Sequence, residues 1–382
     1  MWDVGVVGGG PAGSTAARRL SERGLTVLIL EAAQHPRVKP CGGALTDRGL
    51  ALLPDGYTPL LRSHPREWTF RFRNLPPVTV GREHAYCHTV VRREFDQFLF
   101  EQAALAGATA HDGERALSIE RETEGGADHF VIRTEKDRYQ VRYLIGADGA
   151  KGVSAKTLGI ERPRPGAALE VEEPVPPPLL EAYRDRCEVM VSDAPWGYCW
   201  VIPKGDQLNV GVGSFHAAGF AWRERLDRYF REIGFRRTGP VLAHPLPYRW
   251  AKTRLARGHA LVVGDAAGLM DPFSAEGIYS ALSSGTLAAD VTAAAAAHGG
   301  GLEAYDAALS ARVWPELQRA GLLARLFYTM PGAWGRLFTK DTALLTTYLD
   351  VLDGRGGYDG LLRATRERWW RIVRRARPAP AS

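Results

Sequence analysis

Apolar positions recur along this chain with different periods, and each period predicts an element. Residues 4–7 are a short apolar run closed by glycines and residues 27–30 are a second, so residues 1–30 read as strand, helix, strand. Residues 92–107 read as an amphipathic helix, from Arg92-Arg93-Glu94-Phe95-Asp96 to Gly107. Phe130-Val131-Ile132 and Val141-Arg142-Tyr143-Leu144-Ile145 alternate as strands. The proline-rich stretch 162–178 reads as a crossover between domains, after which Cys187-Glu188-Val189-Met190-Val191 resumes strand pattern. Residues 196–214 alternate aromatic, apolar and glycine, the pattern of an antiparallel pair turning at Lys204-Gly205-Asp206. Ala260-Leu261-Val262-Val263 is a buried strand leading into a long alanine-rich helix, and everything after Gly301 has helical periodicity.

The glycines between the first strand and helix carry the first chemistry. Gly8-x-Gly10-x-x-Gly13 stands at a strand-to-helix turn, with Pro11 and Ala12 opening the helix, and Glu31-Ala32 closes the second strand. This is the dinucleotide-binding fingerprint. Its glycines allow a tight turn, close approach to a pyrophosphate and close helix–strand contact, and the acid meets a ribose hydroxyl. Two later strand ends extend it. One is Gly146-Ala147-Asp148-Gly149; the other is Gly264-Asp265-Ala266-Ala267-Gly268, followed by Asp271-Pro272 and Glu276-Gly277-Ile278. Asp265 would lie near a ribityl hydroxyl. A helix starting near Gly277 would turn its positive end toward a flavin pyrimidine carbonyl. The expected fold is therefore α/β: a discontinuous Rossmann-like FAD-binding domain (1–45, 86–165 and 256–300), an inserted antiparallel-sheet substrate domain (46–85 and 166–255) and a helical C-terminal region (301–382).

Composition narrows the class. With 382 residues, 45% hydrophobic and 24% charged, the chain can bury a large core. No apolar run reaches a bilayer span, and the N-terminal apolar stretch lacks the basic region of a secretory leader. Cys41, Cys87, Cys187 and Cys199 have no metal-ligand spacing and read as reduced thiols in a cytoplasmic protein, with no metal site. The net charge of +6 comes without a nucleic-acid motif. Trp369-Trp370-Arg371-Ile372-Val373-Arg374-Arg375 suits a peripheral contact at the inner face of a membrane or a solvated basic helix. Leu322-Leu323, Leu326-Phe327 and Trp334 offer a further apolar face for the same contact.

The three cofactor segments in this order resemble the FAD enzymes that include aromatic hydroxylases, flavin halogenases and geranylgeranyl reductases. Arg92 matches that group's helix-start arginine, which approaches the FAD phosphates. Lys39-Pro40-Cys41-Gly42-Gly43, Pro195-Trp196-Gly197-Tyr198-Cys199-Trp200-Val201-Ile202-Pro203, Asn209-Val210-Gly211-Val212-Gly213 and Leu352-Asp353-Gly354-Arg355-Gly356-Gly357-Tyr358 resemble the geranylgeranyl reductase family in particular. Ile202 stands where that family usually has Phe, which would reshape the lipid tunnel. Gly152 stands where many relatives have Ser, with little consequence expected.

The resemblance implies reduction of carbon–carbon double bonds in a polyprenyl lipid, quinone or isoprenoid alcohol, with NADPH or a small redox protein as electron donor. On it, Gly8, Gly10, Pro11, Ala12, Gly13, Glu31, Ala32, Cys41, Gly42, Arg92, Asp148, Asp265, Pro272, Gly277 and Ile278 would hold FAD. Trp196, Tyr198, Trp200 and Pro203 would line the substrate tunnel, where aromatic faces can stabilise developing positive charge. Cys41 would sit at the reacting face as proton donor or gatekeeper. The alternative is a flavin-dependent monooxygenase or halogenase acting on an aromatic small molecule. A halogenase needs a lysine between flavin and substrate, and none occurs between Lys39 and Lys136.

Overall fold

The computed structural model describes residues 1–124, 127–191, 193–216 and 219–375. In chain order, the elements that position the site begin with β1 (Trp2–Val7), α1 (Pro11–Ser21) and β2 (Val27–Leu30). Then come β3 (Glu67–Phe72), β4 (Val78–Gly81), α2 (Arg92–Leu105), β5 (Thr109–His111) and β6 (Arg138–Gly146). The inserted region adds β7 (Arg164–Pro174), β8 (Arg186–Val191), β9 (Gly197–Lys204), β10 (Gln207–Ser214) and β11 (Leu242–Tyr248). The chain returns through β12 (Ala260–Val262) to α3 (Ile278–His298), then α4 (Trp314–Thr329) and α5 (Tyr358–Arg375).

The first sheet runs β12-β6-β1-β2-β5, with all four of these pairings parallel. Its central strands are buried on both faces, which is why they read as unbroken apolar runs. Gly10 caps α1, Pro11 opens it with a preset φ, and Arg18 and Arg19 sit at its negative end. Gly13 lets that helix start against the strand: a Cβ there would lie 1.9 Å from the Gly8 carbonyl oxygen. α3 packs equally close, since a Cβ on Gly285 would lie 2.3 Å from the Ala12 carbonyl oxygen.

The second sheet runs β11-β7-β10-β9-β8-β3-β4. It is antiparallel except for the parallel β3–β8 pair, a departure from the wholly antiparallel sheet expected. The stretch 46–85 also divides. β3 and β4 join this sheet, whereas Leu61–Ser63 pairs with His88–Val90 in a small sheet beside the cofactor cleft. The proline-rich stretch is not a bare crossover. Most of it is β7, whose Pro165 and Pro174 lie at the strand's two ends and leave the ladder between them intact. The helices after Gly301 close over the sheet with an aromatic core that includes Phe273, Phe327, Tyr328, Trp334 and Phe338. Among the described residues no helix is long and apolar enough to cross a membrane. The side chains from Trp369 onward lie outside the described residues.

Gly285→Ala should destabilise the protein. A new methyl has no room against the Ala12 backbone, and the overpacking, about 1–3 kcal/mol, outweighs the ~1 kcal/mol gain in helix propensity. Chemical denaturation of purified protein should show a lower midpoint with an unchanged slope.

Candidate functional site

One cavity of about 740 Å³ runs from the first sheet to the C-terminal helices, and it has two lobes of opposite character. The polar lobe begins at the C-terminal ends of β1 and β2, where Gly8, Gly10, Pro11, Ala12, Glu31 and Ala32 form its wall. Glu31 is fixed by its surroundings: Oε2 accepts the Gly9 N–H at 2.8 Å and Oε1 the Ala33 N–H at 2.9 Å, with Arg37 Nε at 3.6 Å. Arg37 also reaches Asp96 at 2.9 Å, and Asp96 holds the buried Arg92 through bonds of 2.7 and 2.9 Å. Burial works against the Arg92 charge, but Asp96 and the Cys41 thiol outweigh it and raise its pKa above the ordinary value. Lys39 bonds to His244 and lies 3.6 Å from Asp265. Burial alone would raise the Asp265 carboxyl; the His244 hydrogen bond and the Lys39 charge hold it down at about 2. Gly277 caps α3, as expected, and Gly277 and Ile278 line the same lobe.

The lobes meet at residues 39–43, which have no regular structure and are held by the second sheet. The Cys41 N–H donates to Glu170 Oε1 at 2.6 Å, and its carbonyl oxygen accepts from Lys204 Nζ at 2.8 Å. Asn209 Nδ2 bonds Glu170 and Glu172 at 3.1 and 3.2 Å, and Asn209 Oδ1 accepts from the Trp200 indole at 2.7 Å. Gly43 turns the loop at φ +70°; a Cβ there would lie 2.2 Å from the Val90 carbonyl oxygen. Gly42 packs where a Cβ would come 2.7 Å from Ile202 Cδ1, so the Phe-to-Ile difference bears directly on this loop.

Beyond the loop the lining is apolar and aromatic: Tyr198, Trp200, Phe273, Phe327, Tyr328, Phe338 and Tyr348. Trp200 lies across Gly211, where a Cβ would come 2.1 Å from its ring, so the glycine-rich β10 is the seat of the indole. Tyr198 donates to the Ser274 carbonyl oxygen at 2.5 Å and meets Trp200 edge-on at 5.9 Å. Tyr358, from the C-terminal Gly-rich element, donates to Asp271 Oδ2 at 2.7 Å. Asp271 Oδ1 accepts the Phe273 and Ser274 N–H groups, so the chain's end braces the turn before α3.

Four expected residues are placed differently. Pro203 faces away from the cavity, because period two in β9 puts Tyr198, Trp200 and Ile202 on one face and Cys199, Val201 and Pro203 on the other. Trp196 precedes that strand at φ +51° and packs on His216, Trp250 and Tyr328 instead of the cavity wall. Pro272 is buried behind the lining. Asp148 borders the cavity, but its Oδ2 accepts from Val153 N, Ser154 N and Ser154 Oγ. A Cβ on Gly152 would lie 1.9 Å from the Asp148 carboxyl carbon, so Gly152 permits this carboxyl orientation and is not a neutral departure. Arg37, Lys204, Glu170 and His244 were not singled out from sequence, although all but Lys204 line the cavity and all four hold its loop or its charges.

The apolar face expected on the C-terminal helices splits. Leu323, Phe327 and Trp334 are buried, whereas Leu322, Leu326 and Met330, spaced by four, form an exposed stripe.

Fold and cleft together define a dinucleotide-binding oxidoreductase whose cofactor cleft opens into an apolar chamber. Comparison with known proteins gives the family. Residues 1–175 match the FAD binding domain family. Geranylgeranyl diphosphate reductase of Rhodobacter capsulatus is 33% identical over 77% of this chain and 75% of its own length. Menaquinone reductase of Mycobacterium tuberculosis is 31% identical over 82% of this chain and 79% of its own. The crystal structure of a geranylgeranyl bacteriochlorophyll reductase-like protein from Thermoplasma acidophilum, 24% identical, superposes with a TM-score of 0.79 over 98% of both chains and shows the same fold. The chain belongs to the geranylgeranyl reductase family and is an FAD-dependent oxidoreductase.

Glu276 lines the cavity just before α3 and bonds the Tyr279 N–H at 2.6 Å; its Oε2 is buried without a partner. Burial raises its pKa to about 7, against the opposing charge of Arg48. The folded state therefore holds a proton that the unfolded chain releases near its ordinary value of about 4.3. The Glu276 contribution to stability should fall as pH rises from about 4.5 to 7. In Glu276→Gln this fall should be smaller by about 3 kcal/mol, read from urea denaturation across that range.

Proposed function

We propose that this chain reduces carbon–carbon double bonds in a polyprenyl chain carried by a lipid, a quinone or an isoprenoid alcohol. The observation that carries this reading is the single cavity in which a dinucleotide cleft runs, past the Cys41 loop, into an aromatic chamber. Gly8, Gly10, Pro11, Ala12, Glu31, Ala32, Arg92, Asp265, Gly277 and Ile278 would hold FAD, with Gly13 keeping α1 close to its strand. Arg37, Lys39 and Arg92 supply positive charge where a pyrophosphate would lie. The Gly8 turn and the start of α1 leave a cradle that side chains at Gly8 or Gly13 would fill. When bound, FAD supplies the hydride.

This chain's own residues do the rest. An isolated trisubstituted alkene has no carbonyl to polarise it, so hydride addition needs a proton at the other carbon and a dry site. Tyr198, Trp200, Phe327 and Tyr348 line the chamber that would keep water out, and their ring faces favour the partial positive charge that develops. Cys41 sits at the junction of the lobes, where the reacting bond must lie. Phe327 walls the chamber from one side of α4 while Leu322, Leu326 and Met330 face outward, and that stripe would rest on the membrane surface from which the chain enters. The electron donor would be NADPH or a small redox protein.

The test is anaerobic. Dithionite-reduced protein is mixed with a geranylgeranyl lipid or a menaquinone, and products are examined by mass spectrometry. Gain of hydrogen pairs on the tail is expected, and Cys41→Ala should lose most of this activity while keeping its FAD. Oxygen or halogen incorporation in air with halide, and no hydrogen gain without air, would move the protein to the oxygenase side of the fold.

A further inference from the structure

Glu170 projects from β7 into the cavity wall beside Cys41, and only 4% of it is exposed. Its two carboxyl oxygens have different surroundings. Oε1 accepts two N–H groups, from Cys41 at 2.6 Å and from Asn209 at 3.1 Å. Oε2 has no hydrogen-bond partner among the described residues, and Glu170 lines the cavity. A protonated carboxyl fits this arrangement: its carbonyl oxygen accepts both N–H groups and its hydroxyl is left to donate into the cavity. A carboxylate here would set a charged oxygen in a wall shared with Ala168, Trp200 and Ile202.

We propose that Glu170 is the acid that delivers the proton to the alkene, and that Cys41 shapes and closes the reacting face without supplying that proton. The inference rests on the reductase reading above. In the step, one alkene carbon accepts a hydride supplied by the reduced cofactor. The alkene π pair forms a bond from the other carbon to the Glu170 proton, and the Glu170 O–H bond breaks to leave a carboxylate. Two electrons pass from the reduced cofactor to the hydrocarbon. The carboxylate regains its proton from solvent once the saturated chain has left.

Three physical points favour the carboxyl over the thiol. An alkene is a very weak base, so donor strength governs the rate, and a carboxylic acid is intrinsically a much stronger donor than a thiol. Burial raises the Glu170 pKa above the ordinary carboxylate value, which keeps the proton in place before reaction. Lys204, Asn209 and the Cys41 N–H favour the carboxylate that forms. The other charged groups around it are Glu172 on the same strand, bonded to Lys204, and the group of Lys39, His244 and Arg92 on the cofactor side of the loop. Glu172 disfavours the carboxylate and Lys204 favours it.

Glu170→Gln keeps the acceptor for Cys41 and removes the proton. Single-turnover hydrogenation of a prenyl substrate by the anaerobically reduced holoenzyme should slow by about 100-fold or more. FAD content and the rate of Cys41 alkylation should stay close to wild type, and Glu170→Asp should recover part of the activity. In a Glu276→Gln background, which removes the other raised glutamate of the cavity, an infrared carbonyl band of a buried protonated carboxyl at neutral pH should be present and should be lost when Glu170→Gln is added. A Gln variant as fast as wild type overturns the proposal, most plainly if Cys41→Ser is slow. If the Glu170→Gln protein does not fold or loses FAD, the spectrum of Glu276→Gln protein, in which Glu170 is the remaining raised glutamate of the cavity, decides: a carbonyl band that shifts on adding substrate supports the acid, and no band, or one that does not shift, overturns it. An inactive wild type would refute the reductase reading itself, which an active wild type with an equally active Gln variant would leave standing.

Discussion

The peptide of Cys41 is where the molecule is joined. The first sheet delivers residues 39–43 to the cofactor cleft, but those residues form no strand. Gly43 is tied to the small sheet by the Val90 N–H, and Cys41 to the second sheet through Glu170, Lys204 and Asn209. Buried hydrogen bonds of this kind, with charged partners, are each worth about 1.5–3 kcal/mol, and an orphaned partner costs as much again. The same Asn209 holds the Trp200 indole, so the wall of the chamber and the loop between the lobes are set by one polar group. Neither lobe can shift far without breaking that arrangement.

The charges follow the same division. Arg37, Lys39 and Arg92 face Glu31, Asp96 and Asp265 in the polar lobe, and each acid is already bound to a cation or to backbone N–H groups. The charges of this lobe are thus paired with one another, so none is buried alone. The aromatic lobe has the opposite need. Tyr198 and Tyr328 settle their hydroxyls on the Ser274 and Phe273 carbonyl oxygens, and both residues line the cavity. A hydrocarbon chain asks for this kind of lining, and a polar aromatic substrate would leave it underused.

Much of this was readable in the chain. Gly8 at φ +112°, Gly13 against the Gly8 carbonyl and Gly264 at φ +55° meet backbone requirements that a side chain would break, so the cofactor cleft was legible. The losses have specific causes. Prolines at the ends of β7, and Pro245 and Pro247 in the edge strand β11, hid two strands, since an edge strand and a strand end can do without those N–H groups. With β7 and β11 went Glu170 and His244, although the alternation of Glu170 and Glu172 with Leu169 and Val171 is a period-two signal. Pro203 was misplaced by reading a motif as a block instead of by strand face. Trp196 was misplaced because its left-handed backbone breaks the alternation before β9 begins. Asp148 shows a limit of motif reading: Gly152 stood out as a departure, but that a side chain there would meet the Asp148 carboxyl is seen only in three dimensions.

The central claim is that flavin and prenyl chain share one dry cavity and react there without oxygen. It is tested most directly by anaerobic stopped-flow mixing of the reduced protein with a polyprenyl substrate and with its fully saturated analogue, following flavin absorbance. The account predicts that the unsaturated chain reoxidises the flavin and that the saturated chain does not. A flavin that stays reduced with both, and reoxidises only when air is admitted, would contradict it.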